Sequence, residues 1–128
     1  MTRSAVFDSS IWIELFRRGP LSKKCEKALR SHPIVGVPSI AVFEIYRKIL
    51  RSFSEELALS SAAYLKRFTI LDLTTELALL AADLSIAYKL AMADSIVLAH
   101  AVSKDALLIT LDNDFVGIKD VQLIRKTT

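Results

Sequence analysis

An α/β domain, with a mostly parallel sheet and helices on both faces, is the architecture this sequence predicts. Three observations lead there. Short apolar runs that stop at acids or prolines alternate with longer stretches of helical periodicity, and parallel strands need such crossovers. Only 3 Gly and 3 Pro punctuate 128 residues that are 52% hydrophobic. That is too few turn-formers for a sandwich of many short strands, and too apolar a chain for disorder. The length suits one domain over residues 1–128, able to bury a core without disulfides. Cys25, with no second thiol in the chain, offers neither a disulfide nor a thiolate metal site.

Taken in order, Ser4-Ala5-Val6-Phe7-Asp8 reads as a buried strand ending at an acid, with Ser9 and Ser10 as helix starters. A helix follows from about Ser10 to Arg18. Its Ile11/Leu15 and Trp12/Phe16 pairs fall at i, i+4 and bury together, while Glu14, Arg17 and Arg18 point elsewhere. Gly19-Pro20 ends it. The next helix, Leu21 to about Ser31, sets Leu21, Cys25, Ala28 and Leu29 against a basic face of Lys23, Lys24, Lys27 and Arg30. After His32-Pro33, Ile34-Val35-Gly36-Val37 is a second buried strand stopped by Pro38.

Ser39 then suits the N-cap of a helix from Ile40 to about Arg51. Ser52-Phe53-Ser54-Glu55 has capping-box spacing and opens a helix to about Phe68. Thr69 to Leu73 is a third strand, and Thr74 or Thr75 caps a helix to about Leu90 whose Leu77, Leu80, Ala81, Leu84 and Tyr88 form an apolar stripe. The helix from Ala93 to about Ser103 is apolar nearly all round and should lie against the sheet. His100 upon it, without a second His nearby, reads as a structural residue. Ala106 to Thr110 is a fourth strand, the polar turn Leu111-Asp112-Asn113-Asp114-Phe115 follows, and Val121 to Ile124 makes an edge strand.

No apolar run of about 18 residues lacks a charge. Met1-Thr2-Arg3-Ser4 leads directly into the first strand instead of a signal-peptide core, so the expectation is a soluble, cytoplasmic chain with no membrane partner. The formal net charge of +3 favours polyanionic partners without demanding them.

In open α/β sheets, ligands bind beyond the carboxyl ends of the strands. Asp8 follows the first strand, Glu44 lies in the helix after the second, and Asp112 follows the fourth, which puts all three on that side. Asp94 opens the helix that leads into the fourth strand, and such a helix ordinarily starts at the opposite edge. It reaches the others only if the preceding long helix returns and this apolar helix enters beside the end of the first strand. Two of the acids also have a commonplace use: Asp94 as a first-turn helix acid, Glu44 as an i+4 partner of Lys48.

Four carboxylates in one pocket repel by about 3 kcal/mol per pair at roughly 5 Å and an effective dielectric near 20. They need cations, and an oxygen-only set suits Mg²⁺ or Mn²⁺, which bind phosphates and activate water. Hydrolysis of nucleic acid is the chemistry that follows. With an acidic centre, the remaining surface must be more basic than the average. Arg47, Lys48 and Arg51, on the helix that carries Glu44, are the nominated phosphate contacts.

These segments carry a resemblance. Val6-Phe7-Asp8-Ser9-Ser10, Ser39-Ile40-Ala41-Val42-Phe43-Glu44, Ala93-Asp94-Ser95-Ile96-Val97-Leu98-Ala99-His100-Ala101 and Ile109-Thr110-Leu111-Asp112-Asn113-Asp114-Phe115 resemble, in order and spacing, the motifs of PIN-domain ribonucleases, in particular the small VapC-type toxins. The resemblance spans nearly the whole chain. It implies a three-layer PIN-like domain with a parallel sheet of about five strands. It also implies metal-dependent endoribonuclease activity, a homodimer, and an antitoxin that blocks the site with a basic side chain. Carried over by position, Asp8, Glu44, Asp94 and Asp112 form the catalytic and metal-binding set, Ser10 and Thr110 its polar support, and Asp114 a further acid of less fixed role.

Two rivals stand beside that reading. A phospho-receiver domain also places acids at strand ends, but Asp8-Ser9-Ser10 lacks an acid pair, and only Asp72 and Lys119 are left for its other roles. A non-catalytic RNA- or partner-binding module is the other. Self-association is expected either way. Ile40, Phe43, Ile45, Tyr46, Ile49, Leu50, Phe53, Leu57, Leu59, Tyr64, Leu65 and Phe68 are more apolar surface than one sheet face needs, and exposed surplus marks an interface.

Overall fold

Five short, mostly apolar strands pair into a single sheet. In the computed structural model, which describes residues 3–126, these are β1 (Ala5–Phe7), β2 (Val35–Pro38), β3 (Thr69–Leu71), β4 (Leu107–Thr110) and β5 (Val121–Leu123). Their order is β3-β2-β1-β4-β5, and every neighbouring pair is parallel. Central β1 sets Ala5 opposite Val35 on one side and Leu107 on the other. The lead-in Met1-Thr2 lies outside the described residues.

Alternation along the strands divides the interior into two faces. Phe7, Val37 and Ile109 join Ile11, Trp12, Ile45 and Ile49 on one side. Val6 and Leu108 join Val97, Leu98 and Phe115 on the other. The first face is covered by α1 (Ser9–Phe16), α2 (Ser22–Arg30), α3 (Ser39–Ser52) and α4 (Glu55–Leu65), and the second by α6 (Met92–Ser103), against which α5 (Thr75–Tyr88) packs. The three-layer expectation holds. A receiver domain would show the strand order 2-1-3-4-5, so the observed order removes that rival.

Several local expectations are corrected. Asp8, not a serine, caps α1, accepting the Ser10 N–H. Ser39 already belongs to α3, whose N-cap residue Pro38 makes no side-chain bond. Ser52 closes α3, and Ser54 caps α4 by accepting the Leu57 N–H at 3.0 Å. That helix ends at Leu65, where tighter bonds from the Arg67 and Phe68 N–H groups to Tyr64 and Leu65 take over. Thr74 caps α5, and Tyr88, at the end of its stripe, is exposed.

Glu14 is the largest departure. It is buried at 4% exposure, with its carboxylate held by Arg17 at 2.7 Å and by the Leu21 N–H at 2.7 Å. Gly19 packs closely beside it, since a Cβ there would displace the Glu14 carboxylate.

The path into β4 settles the position of Asp94. Lys89, in the left-handed region at φ 56°, turns the chain out of α5, and the short link Lys89-Leu90-Ala91 folds α6 back along it as a helical hairpin. Leu77 and Ala81 of α5 meet Ile96 and Ala99 of α6. The long helix thus returns the chain to the carboxyl edge, and α6 starts there with Asp94 in its first turn.

Candidate metal centre

The order of strands reverses between β1 and β4, because β1 continues to β2 on one side while β4 continues to β5 on the other. A crevice opens at the carboxyl ends of such a pair. Asp8 leaves β1 and Asp112 leaves β4 at that point. The Asp8 N–H donates to the Ile109 carbonyl at 3.2 Å, tying the two strand ends together.

A chain of hydrogen bonds then arranges the acids. The Ser10 N–H donates to Asp8 Oδ1 at 3.0 Å, the Ser10 hydroxyl donates to the same oxygen, and the Thr110 hydroxyl donates to Asp8 Oδ2. Ser10 Oγ also accepts the Leu111 N–H, and Thr110 Oγ1 accepts the Asp112 N–H, each at 2.9 Å. Asp112 Oδ1 accepts the Asp114 N–H at 2.9 Å and so caps the short 3-10 turn Asn113–Phe115. Ser10 and Thr110 thus both hold the Asp8 carboxylate.

Carboxylate oxygens of Asp94, Asp112 and Asp114 all lie within 4.8 Å of one another. Asp114, expected only as an accessory acid, is in this closest group, whereas Asp8 and Glu44 border it. They remain within its field. Burial first, then the charges of Asp112, Asp8 and Asp114, pushes the Asp94 carboxyl up to about 6. Burial also raises Asp8 to about 6, against the lowering pull of Ser10 and Thr110. For Glu44, burial raises the pKa, a Ser9 hydroxyl lowers it, and Asp94 and Asp112 raise it further.

These charges face no basic partner among the described residues. Among the described residues, Arg3 pairs with Asp105 and Asp120, Arg17 with Glu14, and Arg30 with Glu26, but no ion pair reaches any of the five acids. The everyday use of Glu44 as a partner of Lys48 is not realised. Anions crowded behind hydroxyls and beside each other repel at neutral pH, and a countercharge from outside would relieve that cost. An oxygen-only donor set of this kind fits a hard divalent cation.

From Glu44 the surface continues into a groove of about 460 Å³, lined by Ser9, Phe43, Glu44, Arg47, Lys48 and Arg51 among others. The three nominated basic residues share one wall of it. Phe43 was grouped with the association surface by sequence; its i+4 spacing to Arg47 was the available sign that it faces this groove. His100 is buried, with Nε2 unpartnered and its pKa lowered chiefly by burial, and it is no part of the acid cluster.

Fold and site together define a class, a doubly wound α/β domain with an acidic centre at its switch point. The chain belongs to the PIN domain family, whose model matches residues 5–121. Among solved structures, it is similar to a toxin-antitoxin complex chain from Klebsiella pneumoniae, with 29% identity, 92% of this chain and 95% of that one covered, and a TM-score of 0.79. It shares its fold with VapC20 of Mycobacterium tuberculosis, described as a Sarcin-Ricin loop cleaving toxin, at 17% identity, 93% and 98% coverage and a TM-score of 0.80. FitAcB from Neisseria gonorrhoeae shares it too, at 18% identity, 94% and 96% coverage and a TM-score of 0.72. No curated protein matches the chain significantly. No helix among the described residues is long and apolar enough to cross a membrane.

Proposed function

We propose that this chain is a divalent-metal-dependent endoribonuclease that hydrolyses RNA phosphodiester bonds, and that it is the toxin of a toxin-antitoxin pair. The observation that carries the reading is the cluster of carboxylates at the switch point, with no ion pair to a basic side chain among the described residues. PIN domains are nucleases that use divalent metal ions, which supports the same conclusion.

Asp94, Asp112 and Asp114 would hold Mg²⁺ or Mn²⁺ after small side-chain rotations, with Asp8 and Glu44 at the margin. A cation bound there supplies a water that is nucleophilic near neutral pH and offsets charge on the phosphodiester. Asp8, locked by Ser10 and Thr110, fixes the ends of β1 and β4 relative to each other. Glu44, half-buried between the acids and the basic groove, can take up a proton beside the incoming phosphate. Arg47, Lys48 and Arg51 would bind the flanking phosphates.

Toxin-antitoxin partners are named for the Klebsiella structure, which supports an antitoxin for this chain. Such a partner would direct an Arg or Lys at the acids. Leu50, Phe53 and Leu59, exposed at 42, 50 and 54%, support self-association through α3 and α4. The decisive experiment incubates the purified chain and RNA with Mn²⁺ or Mg²⁺, with and without chelator. Metal-dependent cleavage that chelator stops is expected. Bound but uncut RNA under every metal condition would favour the non-catalytic module instead.

A further inference from the structure

The basic groove holds a residue that phosphate binding does not explain. Phe43 is 63% exposed and lines the groove beside Glu44, although an exposed aromatic ring adds nothing to the core that Ile45 and Ile49 already fill from the same helix. Phe43, Arg47 and Arg51 follow one another at i, i+4 and i+8, so each is about 6 Å further along the axis and all three share a face. Glu44 and Lys48 form the adjacent row. The other exposed apolar residues of α3 and the turn after it, Leu50 and Phe53, do not line the groove, which separates Phe43 from the apolar surplus.

An aromatic face at the head of a row of guanidinium groups matches the composition of single-strand binding sites, in which bases stack on rings while cations track the backbone. In an A-form duplex the base faces are stacked on each other, and a protein meets phosphates, 2′-hydroxyls and base edges along the minor groove. A duplex could therefore use Arg47 and Arg51 but would leave the ring idle.

We propose that the groove along α3 takes unpaired RNA, with one base stacked on Phe43 and the phosphates that follow it on Arg47 and Arg51, so that the strand passes Glu44 into the acidic centre. This rests on the nuclease reading above. Phe43 is then a binding residue that makes the enzyme select single strands, with no part in the chemical step.

The test uses the full chain with Mn²⁺ and compares cleavage of one RNA, single-stranded or annealed to its complement, by wild type, Phe43→Ala and Phe43→Trp, with light scattering on each protein. The wild type should favour the single strand. Phe43→Ala should raise its half-saturating concentration roughly tenfold, leave the saturated rate within about twofold, and leave the duplex reaction unchanged. Phe43→Trp should restore the single-strand value. Unaltered half-saturation in Phe43→Ala, or an equal loss on both RNAs, overturns the proposal. So does a fall in molecular mass for Phe43→Ala, which would make the ring part of a protein interface. A wild type that cuts neither RNA would overturn the nuclease reading itself, a result distinct from any of these.

Discussion

Two buried acidic sites in this molecule look alike by burial and differ in what surrounds the charge. Glu14, at 4% exposure, has Arg17 at 2.7 Å and the Leu21 N–H at 2.7 Å, so its charge is balanced inside the chain and locks the turn from α1 to α2. Asp8, also at 4%, has hydroxyls and backbone N–H groups but no basic partner among the described residues, and its charged neighbours are further acids. The difference teaches that burial of a carboxylate does not mark function. A buried charge left without a counterion does, because removing it from water costs several kcal/mol that hydrogen bonds offset only in part.

The largest effect that could break this comparison is on cleavage. Asp8→Asn, Asp94→Asn and Asp112→Asn should each remove activity by more than the roughly 10- to 100-fold typical of outer-shell changes at metal sites. Asn keeps the shape and, at position 8, the capping ability. In chelator, the same variants should melt no lower than wild type, because each relieves repulsion. Two variants with wild-type cleavage would sink the metal assignment.

The acidic centre should also set the pH dependence of the metal-free fold. The folded pKa values of Asp8 and Asp94 are raised to about 6, so the folded state binds the extra protons. The stability they contribute is complete below about pH 4 and is lost as pH rises through about 6, on the order of 2 to 3 kcal/mol from Asp8. Denaturant melts in chelator across that window measure it, and saturating Mn²⁺ should remove the fall. A flat profile in chelator would mean that the site is not crowded with unbalanced charge.

Glu14→Gln should do the reverse. Losing the carboxylate charge that faces Arg17, a side chain itself partly exposed, lowers stability by about 1 to 2 kcal/mol, equally with metal and with chelator, while folded protein cleaves RNA at the wild-type rate. Stabilisation by Mn²⁺ that depended on Glu14 would erase the distinction between the sites. The smallest expected effect is at the groove. Neutralising Arg47, Lys48 or Arg51 should flatten the logarithmic salt dependence of RNA binding by about 0.7 per contact. An unchanged slope in the triple variant would place the RNA elsewhere.

The order of elements, the parallel sheet and the position of three acids beyond strand ends are legible in the chain itself, because helix and strand periodicities are local and acids at the ends of Val6-Phe7-Asp8 and Ile109-Thr110-Leu111-Asp112 stand out against apolar runs. Tertiary structure alone decided the rest. Glu14 reads as one more surface charge on an amphipathic helix until the turn at Gly19 closes over it. Asp114 reads as turn chemistry until the Asp112 cap swings it towards Asp94. Asp94 reaches the site only because α5 and α6 fold as a hairpin, and the bond that locks Asp8 comes from Thr110, 102 residues away. Local sequence specifies what each segment becomes, but the direction in which a helix crosses the sheet and the partner that a buried charge finds are settled by packing between segments distant in the chain.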